Sequence, residues 1–284
     1  MFNYGNTYKT VRKAKCISQK EVCGNHISRT TLSKFENGHS DITLSNFIYL
    51  LEKLDLTFEE FLYLMDDNHG VDMTKGNILK KFIAIKSNLE QDKIEQLVIT
   101  CNDYLDQEYN WYVHSILEVL TVLQNMQQNP LDKIPCIDKI IVSRIWHYLE
   151  TTDEWFLLDI YLINSILFYF SMDSLVFIGN NLLKKTEKYN HFTNIHPLVI
   201  SIYLNLIFLL MQNNLFDLAL YFCDLIEEKV SDSKRYDFIS VLNVRKGICN
   251  QEESRVELGL QTVCLFNDYL LKEDLLKEIH QFRH

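Results

Sequence analysis

Proline and glycine are scarce, with three prolines and eight glycines among 284 residues. Sheet proteins spend both freely on the turns between strands. A chain this poor in them, and rich in Leu, Ile, Phe and Tyr, is predicted to be all-α. Cysteine is present but unpatterned. The seven thiols, at positions 16, 23, 101, 136, 223, 249 and 264, contain no CxxC pair and are odd in number. Most have apolar neighbours, so they read as reduced core cysteines without a disulfide framework or a metal. The nine histidines lack ligand spacing, and His191 and His196 flank a loop. A glycine-rich phosphate loop, a nucleophile elbow and an acid pair on a loop are all missing, which argues against an enzyme and against a cofactor. The longest apolar runs, 155–170 and 198–211, are shorter than a membrane span and carry Asp159, Asn164 and Asn205 inside them. They read as buried core helices. No charged segment followed by an apolar stretch opens the chain, so a cytoplasmic protein with no membrane partner is expected.

The most explicit stretch is Ser18 to Gly38, SQKEVCGNHISRTTLSKFENG. Ser18 and Glu21 form a capping box, in which each side chain takes the other residue's backbone N–H. That starts a short helix burying Val22 and Cys23, stopped by Gly24-Asn25-His26. Ser28 is placed to cap a second helix over 29–37, closed by Gly38. Leu32 and Phe35 of this second helix, with Ile27 before it, point toward the first. Arg29, Thr30, Ser33 and Lys34 point away, and such a set suits a helix entering the major groove. An ordinary solvated helix face is the competing reading, and the neighbouring sequence decides against it.

Charge is unevenly placed. Residues 1–40 hold seven basic side chains against two acidic ones, +5, so the other 244 residues carry −15 of the total −10. A basic head on an acidic body suits a protein whose head alone meets a polyanion. Residues 4–14 read as a first helix, with Tyr8 and Val11 inward and Arg12 and Lys13 toward solvent or phosphate. Residues 42–54 read as a fourth, and Thr57 with Glu60 forms another capping box before a fifth. Five short helices with the pair at 18–38 in second and third place make a phage-repressor-type helix-turn-helix domain. The expected phosphate contacts are Arg12, Lys20 and Lys34 together with the helix start at Ser18. The expected base readers are Gln19, Arg29, Thr30 and Ser33, behind the cap at Ser28.

The run SQKEV…ISRTTLSKFENG…SDITLSNFIYLLEKL resembles the head of the Rgg/GadR/MutR family of Gram-positive transcriptional regulators. The block YLETTDEWFLLDIYLINSILFYFS resembles that family's mid-chain helix around a tryptophan. Together these matches cover about half of the chain. The resemblance implies a DNA-binding head, a helical-repeat body that takes a short secreted peptide after import, and a homodimer joined through the body.

Downstream, 66–73 reads as a linker (DDNHG within it) and 74–284 as one helix after another. Helices are predicted near 74–88, 91–107, 109–128, 134–150, 153–171, 174–190, 196–213, 215–230, 233–249 and 254–282. Segments beginning at Trp155, His196 and Asp237 each place an asparagine about two turns in: Asn164, Asn205 and Asn243. A period near 40 residues predicts a right-handed superhelix of tetratricopeptide-like helix pairs, with each first helix on the concave side. A recurring asparagine there can grip a peptide backbone whatever its side chains. Arg144 and Arg245 could hold a carboxylate, and Tyr161 and Tyr203 could frame pockets. The structural alternative for each is a satisfied helix end, or an arginine paired with a core acid such as Glu150 or Asp159. The expected protein is therefore a regulator with a 1–65 head reading two-fold-symmetric double-stranded DNA, whose body binds a short hydrophobic peptide. The alternative is a body that only dimerises or binds a protein partner.

Overall fold

The computed structural model describes residues 4–66, 75–85, 90–128, 136–189, 192 and 195–282. The described residues are helical, without a strand. The chain divides into two compact units, Met1–Asp72 and Met73–His284. The expected linker lies almost wholly outside the described residues, as does His191.

Among the described residues the head has five helices: α1 (Tyr4–Ala14), α2 (Gln19–Cys23), α3 (Arg29–Glu36), α4 (Leu44–Glu52) and α5 (Phe58–Asp66). Its core joins Tyr8, Val22, Leu32, Phe35, Phe47, Leu50, Leu54 and Phe61, all buried. Tyr8 donates its hydroxyl to the Leu50 carbonyl at 3.2 Å, tying α1 to α4. Gly5 lets α1 meet α3, because a Cβ there would stand 1.8 Å from the Phe35 carbonyl oxygen. α3 ends in a Schellman turn. His39 N–H reaches Lys34 O at 2.8 Å, Gly38 N–H reaches Phe35 O at 2.9 Å, and Gly38 takes φ +72°.

The body continues with α6 (Lys75–Ala84), α7 (Gln91–Leu105), α8 (Trp111–Gln128), α9 (Cys136–Thr151) and α10 (Leu157–Ile166). It ends with α11 (Met172–Thr186), α12 (Ile195–Gln212), α13 (Phe216–Asp232), α14 (Tyr236–Asn250), α15 (Glu253–Leu265) and α16 (Tyr269–Phe282). α6, α8, α10, α12, α14 and α16 each pack on the next, forming one row of first helices. α7, α11, α13 and α15 pack against members of that row, and Trp146 of α9 meets Phe177 of α11. One continuous apolar core results, as a stack of helix pairs requires.

Three expectations are corrected. The single helix expected over 254–282 is two helices. Asn267 turns left-handed at φ +55°, and Asp268 accepts the Leu271 N–H at 3.1 Å to start α16. Trp155 stands in the turn before α10 rather than on a helix; it is fully buried and donates its indole N–H to Leu149 O at 2.9 Å. Finally, α12 with 18 residues does reach membrane-span length and apolarity. α10, α11, α13 and α14 pack around it, so it is the body's central core helix.

Candidate nucleic-acid interface and the open face of the body

Both serine caps are made as expected. Ser18 Oγ accepts the Glu21 N–H at 3.2 Å, and Glu21 returns an oxygen to the Ser18 N–H at 2.6 Å. These hydrogen bonds hold the Glu21 carboxyl below its ordinary range. Ser28 Oγ accepts the Thr31 N–H at 3.0 Å and fixes where α3 begins. From that start Arg29, Thr30 and Lys34 stand exposed, Ser33 is half-buried, and Leu32, Phe35 and Glu36 face the core. Lys20, the second residue of α2, is exposed, and Gln19, the first, is half-buried. Thus α3 offers an arginine, a hydroxyl and a lysine outward from its first two turns, the chemistry of base edges and phosphates.

Arg12 is not among these groups. It is 7% exposed and makes a fork to the carboxylate of Glu36, Nε to Oε1 at 2.6 Å and Nη2 to Oε2 at 2.9 Å. Its third nitrogen, Nη1, donates to Ile17 O at 2.7 Å. Arg12 is therefore a tie between α1, the following turn and the end of α3, and we withdraw it from the phosphate contacts. Helical periodicity placed it beside Lys13 on the outer edge of α1; an acid 24 residues away drew it inward. Sequence reasoning also missed Lys9, which donates to Asn37 Oδ1 at 2.7 Å and braces the C-terminal end of α3.

In the body, the predicted ligand residues separate into two groups. Tyr203 is fully buried and donates its hydroxyl to Gly179 O at 2.7 Å. Burial raises its pKa above the ordinary tyrosine value. Arg245 makes a bidentate pair with Glu278, at 2.6 and 2.9 Å, donates to Leu204 O, and lies 5.1 Å from the centre of the Phe208 ring. Both are spent on packing α12 against its neighbours, and we withdraw them as ligand contacts. Asn243 donates to Ile239 O of its own helix at 2.9 Å. Its side-chain oxygen remains the group it could offer.

Asn164, Asn205 and Tyr161 are half-buried on successive helices of the row. Asn205 shares the least-covered stripe of α12 with Ser201 and Phe208 at helical spacing. The side-chain oxygen of Asn164 is buried and meets no hydrogen-bond donor among the described residues. Arg144 is partly exposed, paired with Glu118 of α8, and lies 5.9 Å over Trp111. Its partner is thus neither Glu150 nor Asp159. His114 Nδ1 also faces Glu118, at 3.3 Å, and burial, then Arg144, lowers the His114 pKa. Asp159 is fully buried; one oxygen accepts the Phe156 N–H at 2.8 Å, and desolvation raises its pKa. A cavity of about 310 Å³ lies between α11, α12 and α13, lined by Thr186, His196 and Lys229, and touches none of the predicted ligand residues. No cluster of metal-binding side chains occurs among the described residues.

A five-helix head with an outward basic reading helix, followed by stacked helix pairs, defines a helix-turn-helix regulator. A helix-turn-helix family matches residues 9–61. The family described as HTH-type transcriptional regulator Rgg, C-terminal domain, matches residues 98–263, more than half of the chain. The protein belongs to the Rgg family of transcriptional regulators. Its fold is similar to that of a transcriptional regulator from Listeria monocytogenes EGD-e, with TM-score 0.80 at 19% identity over 99% of this chain and 97% of that one. It is similar also to the SHP pheromone receptor Rgg2 of Streptococcus dysgalactiae, with TM-score 0.75 at 18% identity over 98% and 99%. A third likeness is to Bacillus thuringiensis PlcR, solved with the peptide PapR7 and DNA, with TM-score 0.64 at 13% identity over 99% of each chain.

Proposed function

We propose that this protein is a cytoplasmic, homodimeric, sequence-specific DNA-binding regulator of transcription whose body binds a short hydrophobic peptide. One observation carries the DNA-binding reading: α3 turns Arg29, Thr30 and Lys34 outward while its other face completes the core of the head. Arg29 is the base reader, Lys20 and Lys34 bind phosphate, and Thr30, Ser33 and Gln19 complete the readout. In the body, Asn164 and Asn205 on adjacent row helices would accept from and donate to a peptide backbone, with Tyr161 and Arg144 at the side. Asn243 would extend this line onto α14. The half-burial of Asn164 and Asn205 supports this, since each residue keeps part of its surface open on a helix of the row. For the peptide to change transcription it must bind two states of the dimer unequally.

A second reading, in which the body only self-associates or holds a protein partner, has its own support. The last helices leave Leu265 80%, Leu270 78%, Tyr269 68% and Phe266 59% exposed at the end of the stack, where repeat proteins ordinarily carry a polar cap. Calorimetry of the full-length protein against pools of short hydrophobic peptides separates the two readings. The first expects saturable binding that weakens at least about fivefold in an Asn164→Leu/Asn205→Leu variant. Heat at dilution level for every pool, in protein that still binds DNA, would leave the second.

A further inference from the structure

Glu36, the last residue of α3, is 1% exposed, and both of its carboxylate oxygens are engaged. Oε1 accepts from Arg12 Nε; Oε2 accepts from Arg12 Nη2 and, at 2.8 Å, from Gln19 Nε2. Of the side chains in this network Gln19, the first residue of α2, is the most exposed. A carboxylate can only accept, so the NH₂ end of the Gln19 amide must turn inward. An amide's two ends are nearly the same size, so this hydrogen bond, rather than shape, settles the choice. The capacity left for the outside is the carbonyl Oε1 and the second N–H, the acceptor–donor edge that matches N6 and N7 of adenine.

We propose that Glu36 is a positioning residue for DNA readout, holding the Gln19 amide in the single orientation that reads an adenine, with Arg12 as the counter-charge that keeps Glu36 in place. This rests on the reading of Gln19 as a base contact. The network joins α1, α2 and α3, so it also sets the angle at which α2 and α3 meet the duplex.

The test is selection from a randomised duplex library by full-length variants, with thermal melts alongside. Gln19→Ala is the reference and should erase a preference of about 5- to 150-fold at one base pair of each half-site. Glu36→Gln can donate as well as accept, so it lets the Gln19 amide turn over and should erase the preference at that same base pair. The double variant should be no worse than either single one. Arg12→Lys weakens the ion pair but leaves a carboxylate facing Gln19; it should lower the melting temperature and leave the preference where it was. Should Glu36→Gln not fold, Glu36→Asp keeps the ion pair with its carboxylate one methylene farther from Gln19, and should relax the same base pair. Glu36 variants that weaken binding to all sequences equally, with the Gln19-dependent preference intact, would show a purely structural residue and overturn the inference. If Gln19→Ala itself changes no preference, Gln19 reads no base, and the inference goes down with that reading.

Discussion

Replacing Arg12 with Met is the sharpest test of how the head is built. The Glu36 side chain has no solvent exposure and Arg12 has 9%, so the change leaves a carboxylate buried without its counter-charge. Breaking such a pair costs about 3–5 kcal/mol, against a total stability of about 5–15 kcal/mol for a domain. Protection of the α1 and α3 amides in hydrogen exchange should fall by roughly two to four powers of ten in the full-length protein. Arg12→Met/Glu36→Met should regain most of this, since a fully apolar replacement of a buried pair is often near neutral. Salt dependence supplies an independent reading. An arginine on a phosphate would lower the slope of log K against log salt by about 0.9 when removed. Arg12 lies inside, so the slope of the folded variant should match the wild type. A loss under about 1 kcal/mol, or a slope reduced by about 0.9, would refute this account of Arg12.

Other consequences are as direct. Arg29→Ala should cost about 1–3 kcal/mol and relax one base pair per half-site, whereas Lys34→Ala should weaken all sequences alike and reduce the salt slope by about 0.9 per head; binding isotherms at several salt concentrations check both. Arg245→Met strands Glu278 and should lower body stability by about 3 kcal/mol or more in denaturant melts, with any peptide affinity of the folded variant unchanged. A selective loss of peptide binding without destabilisation would restore Arg245 as a ligand contact. The folded pKa of Asp159 is raised by burial, so its contribution favours the folded chain below about pH 4 and is lost as pH rises through the raised value. Asp159→Asn keeps an oxygen for the Phe156 N–H and buries no charge. It should melt at or above the wild-type temperature at pH 7.5, with any gain closing toward pH 4; a larger loss at pH 7.5 than at pH 4 contradicts this. Leu265→Glu/Leu270→Glu should turn a dimer into a monomer in light scattering if the end of the stack is where two copies meet.

Features carried by neighbouring residues were legible in the sequence. Capping boxes, glycine stops and helical periodicity are local, and they locate α1 to α5 to within about two residues. The row of first helices was legible too, because Asn164 and Asn205 recur at the repeat length. Partnerships across the chain were not. Nothing around Arg12 announces Glu36, nothing around Arg245 announces Glu278, and Arg144 pairs with Glu118 of the preceding helix rather than a nearer acid. A cation's local helical face therefore misled wherever an acid from another helix could reach it. Two lapses had visible signals. Asn267-Asp268 is a left-handed residue followed by a capping acid, which marks the break between α15 and α16. Glu36, on the apolar side of α3 between Phe35 and Asn37, is a charge facing a core, which calls for a buried partner.

The most direct measurement is selection of double-stranded DNA from a random library by the full-length protein. The account predicts enrichment of one two-fold-symmetric site, its half-sites about one helical turn or a multiple apart, with Arg29→Ala losing discrimination at matching positions in both halves. Enrichment of no common sequence, or recovery of the same site at the same strength by Arg29→Ala, would contradict it.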